Sequence, residues 1–149
     1  MSEKQEGRIL ALALRSSKRG PMELVDEVTA QENAGIEPNH EVQPHRGITF
    51  ISTEQWSEVQ QELHAPDLPW HTRRANVLVE GLVMTDLIGK TVQIGDVVID
   101  VKKETEPCGL MDKLHNGLRK TLEPDCRAGV HGQIMQGGKI AIGNTINVR

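Results

Sequence analysis

Cys108 is the residue whose surroundings point most directly to chemistry, because it stands between a proline and the start of a predicted helix. Pro107 biases Glu106 towards extended geometry, and helical spacing begins just downstream in LMDKL. Unpaired N–H groups at a helix N-terminus favour an anion and lower the pKa of a cysteine. The position therefore predicts a thiolate suited to sulfur transfer, nucleophilic attack or a soft metal. The alternative is a small inert residue at a helix start.

Cys126 is the second cysteine, and its context EPDCRAG is different. It follows a Pro-Asp turn, and only Arg127 is close enough in sequence to polarise its thiol. We therefore expect Cys126 to be structural or incidental. Spacing alone leaves a pairing of Cys108 with Cys126 open.

The segment RRAN places Arg73, Arg74 and Asn76 at the start of a predicted strand. Two guanidinium groups and an amide at one strand end can hold a phosphate or a carboxylate. A solvated pair of charges is the alternative.

The histidines give no comparable pattern. His40 and His45 in HEVQPH lack the HExxH spacing, and Pro44 prevents a helix that would bring them to one face, so a zinc site is not expected. The other four are expected to be surface groups or hydrogen-bonded core groups: His64, His71, His115 and His131.

Composition limits the class of protein. The 149 residues fit a single domain, 1–149, in which we expect residues 1–7 to form a flexible tail. A net charge of −4 without a basic stripe argues against nucleic-acid binding. The sequence contains no run of about 18 apolar residues, so no membrane span is expected. MSEKQEGR carries no hydrophobic signal, so the cytoplasm is expected, where both thiols would stay reduced. Nucleotide-binding glycine motifs, GxSxG and CxxC are absent.

Short apolar runs separated by turn residues dominate the chain and predict strands. A helix is predicted after Ser52, which with Gln55 resembles a capping box, and a second helix over 109–122. A long loop is predicted over 33–47. The predicted strands are 9–14, 22–29, 48–52, 74–81, two within 90–103, 128–135 and 140–148. This order lacks βαβ alternation and indicates a mainly β barrel with a few short helices.

Four stretches, taken in order, resemble the MOSC family, the molybdenum-cofactor sulfurase C-terminal domain. They are RGITFISTEQW, RANVLVEG followed by LIGKTVQIGDVVIDV, PCGLMDKL with the signature cysteine, and the closing hairpin RAGVHGQIMQGGKIAIGNTINV. The resemblance extends over most of residues 8–149 and implies a MOSC-type β-barrel. The loop before RGITF departs from the family, because Asn39 replaces the usual acidic residue.

The resemblance implies binding of the molybdenum cofactor (molybdopterin) or sulfur carriage. By position, Cys108 would be the catalytic thiol and the molybdenum ligand, with Arg73, Arg74 and Asn76 as cofactor contacts. An enzyme would be a molybdenum-dependent oxidoreductase or a sulfur transferase. Pyridoxal phosphate would enter only through a partner cysteine desulfurase, and a molybdoenzyme is the other expected partner. The alternative is a non-enzymatic module that binds an anionic small molecule or a protein. Substrate, electron donor, oligomeric state and the role of the His40–His45 loop are left open.

Overall fold

The computed structural model describes residues 5–15, 22–37, 46–73, 75–107 and 109–149. Within these ranges the strands are β1 (Glu6–Leu14), β2 (Glu23–Val25), β3 (Glu27–Ala30), β4 (Ile36–Glu37), β5 (Ile48–Ser52), β6 (Val77–Glu80), β7 (Thr91–Ile94), β8 (Val97–Glu104), β9 (Val130–Gln136), β10 (Gly138–Ala141) and β11 (Thr145–Val148). The helices are α1 (Thr53–Glu62), α2 (Met84–Leu87), α3 (Gly109–Leu114) and α4 (Leu118–Thr121), with 3-10 turns at Trp70–Arg73 and Pro124–Cys126.

Seven of the described strands close into a barrel. Their order is β11-β7-β8-β9-β5-β6-β1, and β11 pairs again with β1 to complete the ring. Strand β2 extends β1 outside the ring, while β10, β3 and β4 form a separate three-stranded sheet. The pairing of β5 with β6 is parallel, and the other pairings are antiparallel. The predicted mainly β barrel is confirmed.

The barrel forms because its strands alternate apolar and polar residues with the period of the pleat. In β8, Val97, Ile99 and Val101 are buried and the residues between them are more exposed. Branched aliphatic side chains fill the interior, and Phe50 is the single phenylalanine of the chain. Such residues pack well on a pleated surface, so the scarcity of aromatics is no obstacle to a dense core.

A second apolar cluster lies between the barrel and helices α1, α3 and α4. It includes Trp56 and Val59 from α1 and Leu118 from α4. The indole N–H of Trp56 donates to the carbonyl oxygen of Leu68 at 2.9 Å, so the loop after α1 is tied to the same cluster. Trp56 and Val59 are the buried residues of α1 and form its inner face.

The predicted capping box at α1 is half formed. Ser52 Oγ accepts the Gln55 backbone N–H at 3.2 Å, as the motif requires. The Gln55 side chain instead donates from Nε2 to the carbonyl oxygen of Asp125 at 2.6 Å. The second half of the motif is thus exchanged for a contact between α1 and a distant turn.

Several predicted elements are divided at turn residues. The predicted helix 109–122 is wrong as a single element, because Gly117 adopts a φ of +86° between α3 and α4. Strand 22–29 divides at Asp26 into β2 and β3, and 140–148 divides into β10 and β11. Strand β4 lies inside the predicted loop 33–47, whose part with Asn39, His40 and His45 lies outside the described residues.

The predicted tail is too long at its C-terminal end. Glu6 pairs with Asn147 and Gly7 with Ile146, so strand β1 already begins within residues 1–7. The barrel needs this start of β1 for its closure onto β11. Among the described helices, none combines the length and apolar character needed to cross a bilayer.

Candidate functional site

The candidate site is a cleft of about 390 Å³ beside the end of strand β8. Four separate segments line it: Arg46 before β5, Lys103 to Pro107 at the end of β8, Arg119 in α4 and His131 in β9. Pro107 is the residue directly before Cys108. Cys108 itself lies outside the described residues, so the cleft is described by the residues that line it.

Thr105 and His131 hold the chain in place where it leaves β8. The Thr105 backbone N–H donates to the Gly129 carbonyl oxygen at 2.9 Å, and Thr105 Oγ1 lies 2.9 Å from His131 Nδ1. Both residues are buried, with 1% and 2% of their surface exposed. Because a buried hydrogen bond orients an imidazole ring, Thr105 fixes His131 in the wall of the cleft.

The cleft carries more positive than negative side chains. Arg46, Lys103 and Arg119 face two carboxylates, those of Glu104 and Glu106. Arg119 is positioned by its own backbone, whose N–H donates to Asp112 Oδ1 at 3.1 Å and links α4 to α3. Cationic side chains from three different elements are suited to bind a phosphate or another polyanion.

Asn76 belongs to the same region of the barrel but uses its side chain internally. Its Oδ1 accepts the Thr49 backbone N–H at 3.0 Å, and its Nδ2 donates to the Ala13 carbonyl oxygen at 3.4 Å. Thr49 in turn pairs with His131 across β5 and β9, so the three residues form a row towards the cleft. The structure gives Asn76 a role in joining strands, and its contact with a cofactor stays a prediction.

The two predicted arginines precede this row. Arg73 ends the 3-10 turn Trp70–Arg73, and Arg74 lies outside the described residues. The predicted contacts of Arg73 and Arg74 with a cofactor stay predictions.

The predicted helix after Cys108 does begin at Gly109, but it is short. Helix α3 has 6 residues instead of the predicted continuous run to residue 122. A short helix aligns few peptide dipoles, so its N-terminus contributes little to stabilising a thiolate. The electrostatic case for an anion at this place therefore depends on the cations of the cleft.

Cys126 is a free thiol in the described part of the chain and is 7% exposed. Burial raises the pKa of the Cys126 thiol above its usual value, and the carboxylates of Glu104 and Asp125 raise this pKa further. The thiol is thus kept protonated behind Glu104, a residue of the cleft wall. These features disfavour nucleophilic chemistry at Cys126 and support its predicted structural role.

The turn that carries Cys126 has a constrained backbone. Asp125 and Cys126 both adopt left-handed conformations, with φ of +53° and +57°. Such conformations cost of order 1–3 kcal/mol each for residues other than glycine and persist only where the surroundings enforce them. Here the Gln55 side chain holds the Asp125 carbonyl, and the Gly129 N–H donates to the Cys126 carbonyl at 2.8 Å.

Arg127 ties this turn to helix α1. Its guanidinium forms ion pairs with Glu58 and Glu62 and donates to the Thr121 carbonyl oxygen at 3.1 Å. The Arg127 side chain is 10% exposed, whereas the Glu58 and Glu62 side chains are more than half exposed. The hydrogen bonds that Arg127 donates to Glu62 and Glu58 raise the pKa of Arg127, although burial opposes the shift. These contacts tie helix α1 to the turn behind the cleft.

Sequence reasoning missed most of the cleft lining. His131 was expected to be an ordinary surface or core group, and it is indeed hydrogen-bonded in the core, but it also faces the cleft. The phrase RAGVHG, which contributes to the family resemblance, is the one sequence signal for His131. Arg46, Lys103 and Arg119 stand in unremarkable polar contexts and become neighbours only through the fold. In the described part of the chain, no group of three or more His, Cys, Asp or Glu side chains could hold a metal ion.

Comparison with known proteins identifies the family. A sequence model of the MOSC domain matches residues 37–147, and the chain therefore belongs to the MOSC domain family. MOSC domains are associated with molybdenum-cofactor sulfurase-type functions. No curated protein sequence matches the chain.

Solved structures show the same fold at low sequence identity. The YuaD protein from Bacillus subtilis is similar with a TM-score of 0.83 and 19% identity, over 99% of this chain and 98% of that one. YiiM from Escherichia coli is similar with a TM-score of 0.75 and 16% identity, over 95% and 69% of the two chains. YiiM from Geobacillus stearothermophilus gives 0.75 and 15%, over 96% and 75%. At these identities the likeness defines the fold alone.

Proposed function

We propose that the cleft beside Pro107 binds the molybdenum cofactor through its phosphate, with the Cys108 thiolate as the metal ligand. The observation that carries the proposal is the convergence of Arg46, Lys103 and Arg119 on the chain segment that leads directly into Cys108. Guanidinium and ammonium groups match the charge of a phosphate, and a thiolate matches a soft metal centre. The proposed setting is the reducing cytoplasm, where the thiol stays available.

The described residues fit such a ligand in charge and in space. The cleft of about 390 Å³ is open to solvent on one side, and its lining is mainly polar. Arg46, Lys103 and Arg119 would together neutralise the phosphate. When bound, the cofactor would supply two-electron redox or sulfur chemistry at its metal.

The protein's own residues would position the reaction. Thr105 anchors the segment that ends at Cys108, and His131 holds a ring nitrogen at a fixed place in the wall where it can keep or pass a proton. Glu104 covers the Cys126 thiol, whose raised pKa leaves Cys108 as the reactive sulfur. Arg73 and Arg74 are proposed to add further cofactor contacts from the neighbouring segment.

Sulfur carriage is the second candidate, and the state of Cys126 favours it as well. Because the only other thiol of the chain is buried and kept protonated, a persulfide would form at Cys108 alone. In that case a cysteine desulfurase would deliver the sulfur, and its pyridoxal phosphate would remain in the partner. A molybdoenzyme would be the corresponding acceptor.

The test is to produce the protein in a host that makes the molybdenum cofactor and to measure molybdenum, pterin fluorescence and cyanide-labile sulfur in one sample. Cofactor binding predicts molybdenum with pterin, both lost in Cys108→Ser. In a double variant, Lys103→Ala with Arg119→Ala, we expect cofactor retention to fall about tenfold, which corresponds to roughly 1.4 kcal/mol.

The matched control is Lys102→Ala with Lys120→Ala, since each of these exposed cations is the sequence neighbour of a cleft cation but does not line the cleft. Equal losses in the two double variants would contradict the proposed phosphate site. Labile sulfur on Cys108 without metal would establish the sulfur carrier instead. Absence of both species would leave a module that binds another anion or a protein.

A further inference from the structure

A second surface lies on the other side of strand β5 from the cleft. It consists of a cleft of about 500 Å³ with Glu6, Arg8, Glu54 and Glu80 in its lining, and of an adjoining hollow of about 260 Å³. Leu82 and Val83 line the hollow, and Glu54 and Gly81 are shared by both parts. We call these two parts together the docking surface.

The acidic part of the docking surface has unsatisfied charge. Three carboxylates accompany one guanidinium there, and Glu6, Glu54 and Glu80 form no ion pair with any other described residue. Glu54 accepts hydrogen bonds from the Gly81 N–H at 3.0 Å and from Ser52 Oγ at 3.2 Å, so it is fixed in place. Glu6 and Glu80 remain available to cations from outside.

The apolar part breaks a local rule of helix formation. Val83 occupies the N-cap position of α2, where it supplies no side-chain hydrogen bond and is 55% exposed. Ser, Thr, Asp or Asn at an N-cap stabilises a helix by about 1 kcal/mol relative to an apolar residue. A buried leucine, Leu82, forms the floor beside this exposed valine. Local rules are most often broken where a residue serves function and not stability.

We propose that the docking surface binds an extended segment of a partner protein in which basic residues flank an aliphatic side chain. The aliphatic side chain would enter the hollow against Leu82 and Val83, and the basic residues would meet Glu6 and Glu80. The adjoining acidic and apolar parts are complementary to this one combination of charges and size. The proposal is independent of the function proposed for the cleft.

The test uses the full chain and a short fluorescent peptide that contains both lysines and leucines. Its binding is measured by anisotropy at low and moderate salt and located by amide shifts in NMR spectra. We expect shifts at Gly81, Leu82 and Glu80, and weaker binding as salt rises. Glu80→Gln with Val83→Ser should weaken binding about tenfold.

The control variant is Glu32→Gln with Leu24→Ser, which removes one exposed acid and one exposed apolar side chain away from the docking surface. It should bind like the wild type. Two control peptides, one with glutamates for the lysines and one with serines for the leucines, should both lose affinity.

Five results would overturn the proposal. Peptide binding that is weakened equally in the control variant would show charge attraction without a defined site. Amide shifts outside the docking surface would show the same. Undiminished binding of the leucine-free peptide would indicate a site for small cations. Displacement of the bound lysine–leucine peptide by spermidine would indicate the same. Burial of the docking surface in a dimer of this chain, seen as concentration-dependent mass and shifts at Val83 without peptide, would assign the surface to self-association.

Discussion

The cleft and the docking surface lie on either side of strand β5 and are built in opposite ways. The cleft uses β8 and β9 with α4, carries an excess of cations and contains a buried imidazole. The docking surface uses β1 and β6 with the start of α1, carries an excess of carboxylates and has an exposed valine at its rim. The turn behind the cleft contains two non-glycine residues with positive φ, Asp125 and Cys126, whereas the docking surface presents an exposed apolar side chain, Val83. A rigid frame suits chemistry, and an accessible rim suits recognition.

Two glycines with positive φ test whether the backbone really is more constrained behind the cleft. A Cβ at Gly129, whose φ is +96°, would stand 2.2 Å from the Phe50 carbonyl oxygen. At Gly81, with a φ of +82°, the nearest atom would be the Glu6 carbonyl oxygen at 3.3 Å. We expect Gly129→Ala to cost about 4 kcal/mol or to prevent folding, and Gly81→Ala to cost about 1–2 kcal/mol. Urea unfolding measures both. Similar costs would abolish the distinction between the two regions.

Arg127 tests whether the turn behind the cleft depends on its tie to α1. Arg127→Ala removes a largely buried guanidinium that bonds Glu58, Glu62 and the Thr121 carbonyl. We expect a loss of about 2 kcal/mol in the free energy of unfolding, together with faster alkylation of Cys126 by iodoacetamide.

The control for Arg127 is Lys139→Ala, because the ion pair of Lys139 with Glu27 is formed by side chains that are 74% and 54% exposed. Its loss should change stability by less than about 0.5 kcal/mol. Comparable effects of the two substitutions would mean that Arg127 does not anchor the turn.

The smallest expected effect concerns the pH dependence of stability. Because burial and the nearby carboxylates raise the pKa of Cys126 above 9.0 in the folded chain, the unfolded chain loses this proton first. The contribution of the protonated Cys126 thiol to the free energy of unfolding is therefore complete below about pH 9. It is lost as the pH rises through the pKa of Cys126 in the folded chain. The free energy of unfolding, measured with denaturant at a series of pH values, should decline more steeply above about pH 9 in Cys108→Ser than in the double variant Cys108→Ser with Cys126→Ala. The difference should not exceed about 1.4 kcal/mol per pH unit. Identical slopes would contradict the buried, protonated thiol.

Most of the barrel could be predicted from the sequence because its strands signal themselves locally. The alternation in VVIDV and the apolar run of β1 are visible within a few residues. The sequence pattern did not predict that the strand 22–29 divides at Asp26 or that the helix 109–122 divides at Gly117. A single turn residue is a weak signal when the residues on both sides of it favour one continuous element. The MOSC resemblance implied the same barrel fold.

The candidate site was harder to predict because its parts are distant in sequence. Cys108 is conspicuous through its proline and the following helix, but Lys103 and Arg119 have no local signal, and His131 has only the phrase RAGVHG. Their neighbourhood is created by the pairing of β8 with β9 and by the turn at Gly117, neither of which a single segment specifies. Asn76 is the opposite example, because its position at a strand start made it a candidate from the sequence. In the structure its side chain forms hydrogen bonds with the backbone of Thr49 and Ala13.

The closure of β1 onto β11 has a practical consequence for linking this domain to others. Glu6 pairs with Asn147, and the Val148 N–H donates to the Gln5 carbonyl oxygen at 3.0 Å, so Gln5 and Val148 lie side by side. Glu6 also lines the acidic part of the docking surface. A protein joined directly before Gln5 or directly after Val148 would consequently emerge near that surface and shield it. A permuted chain with Gln5 and Val148 linked and new ends opened elsewhere would leave the surface accessible.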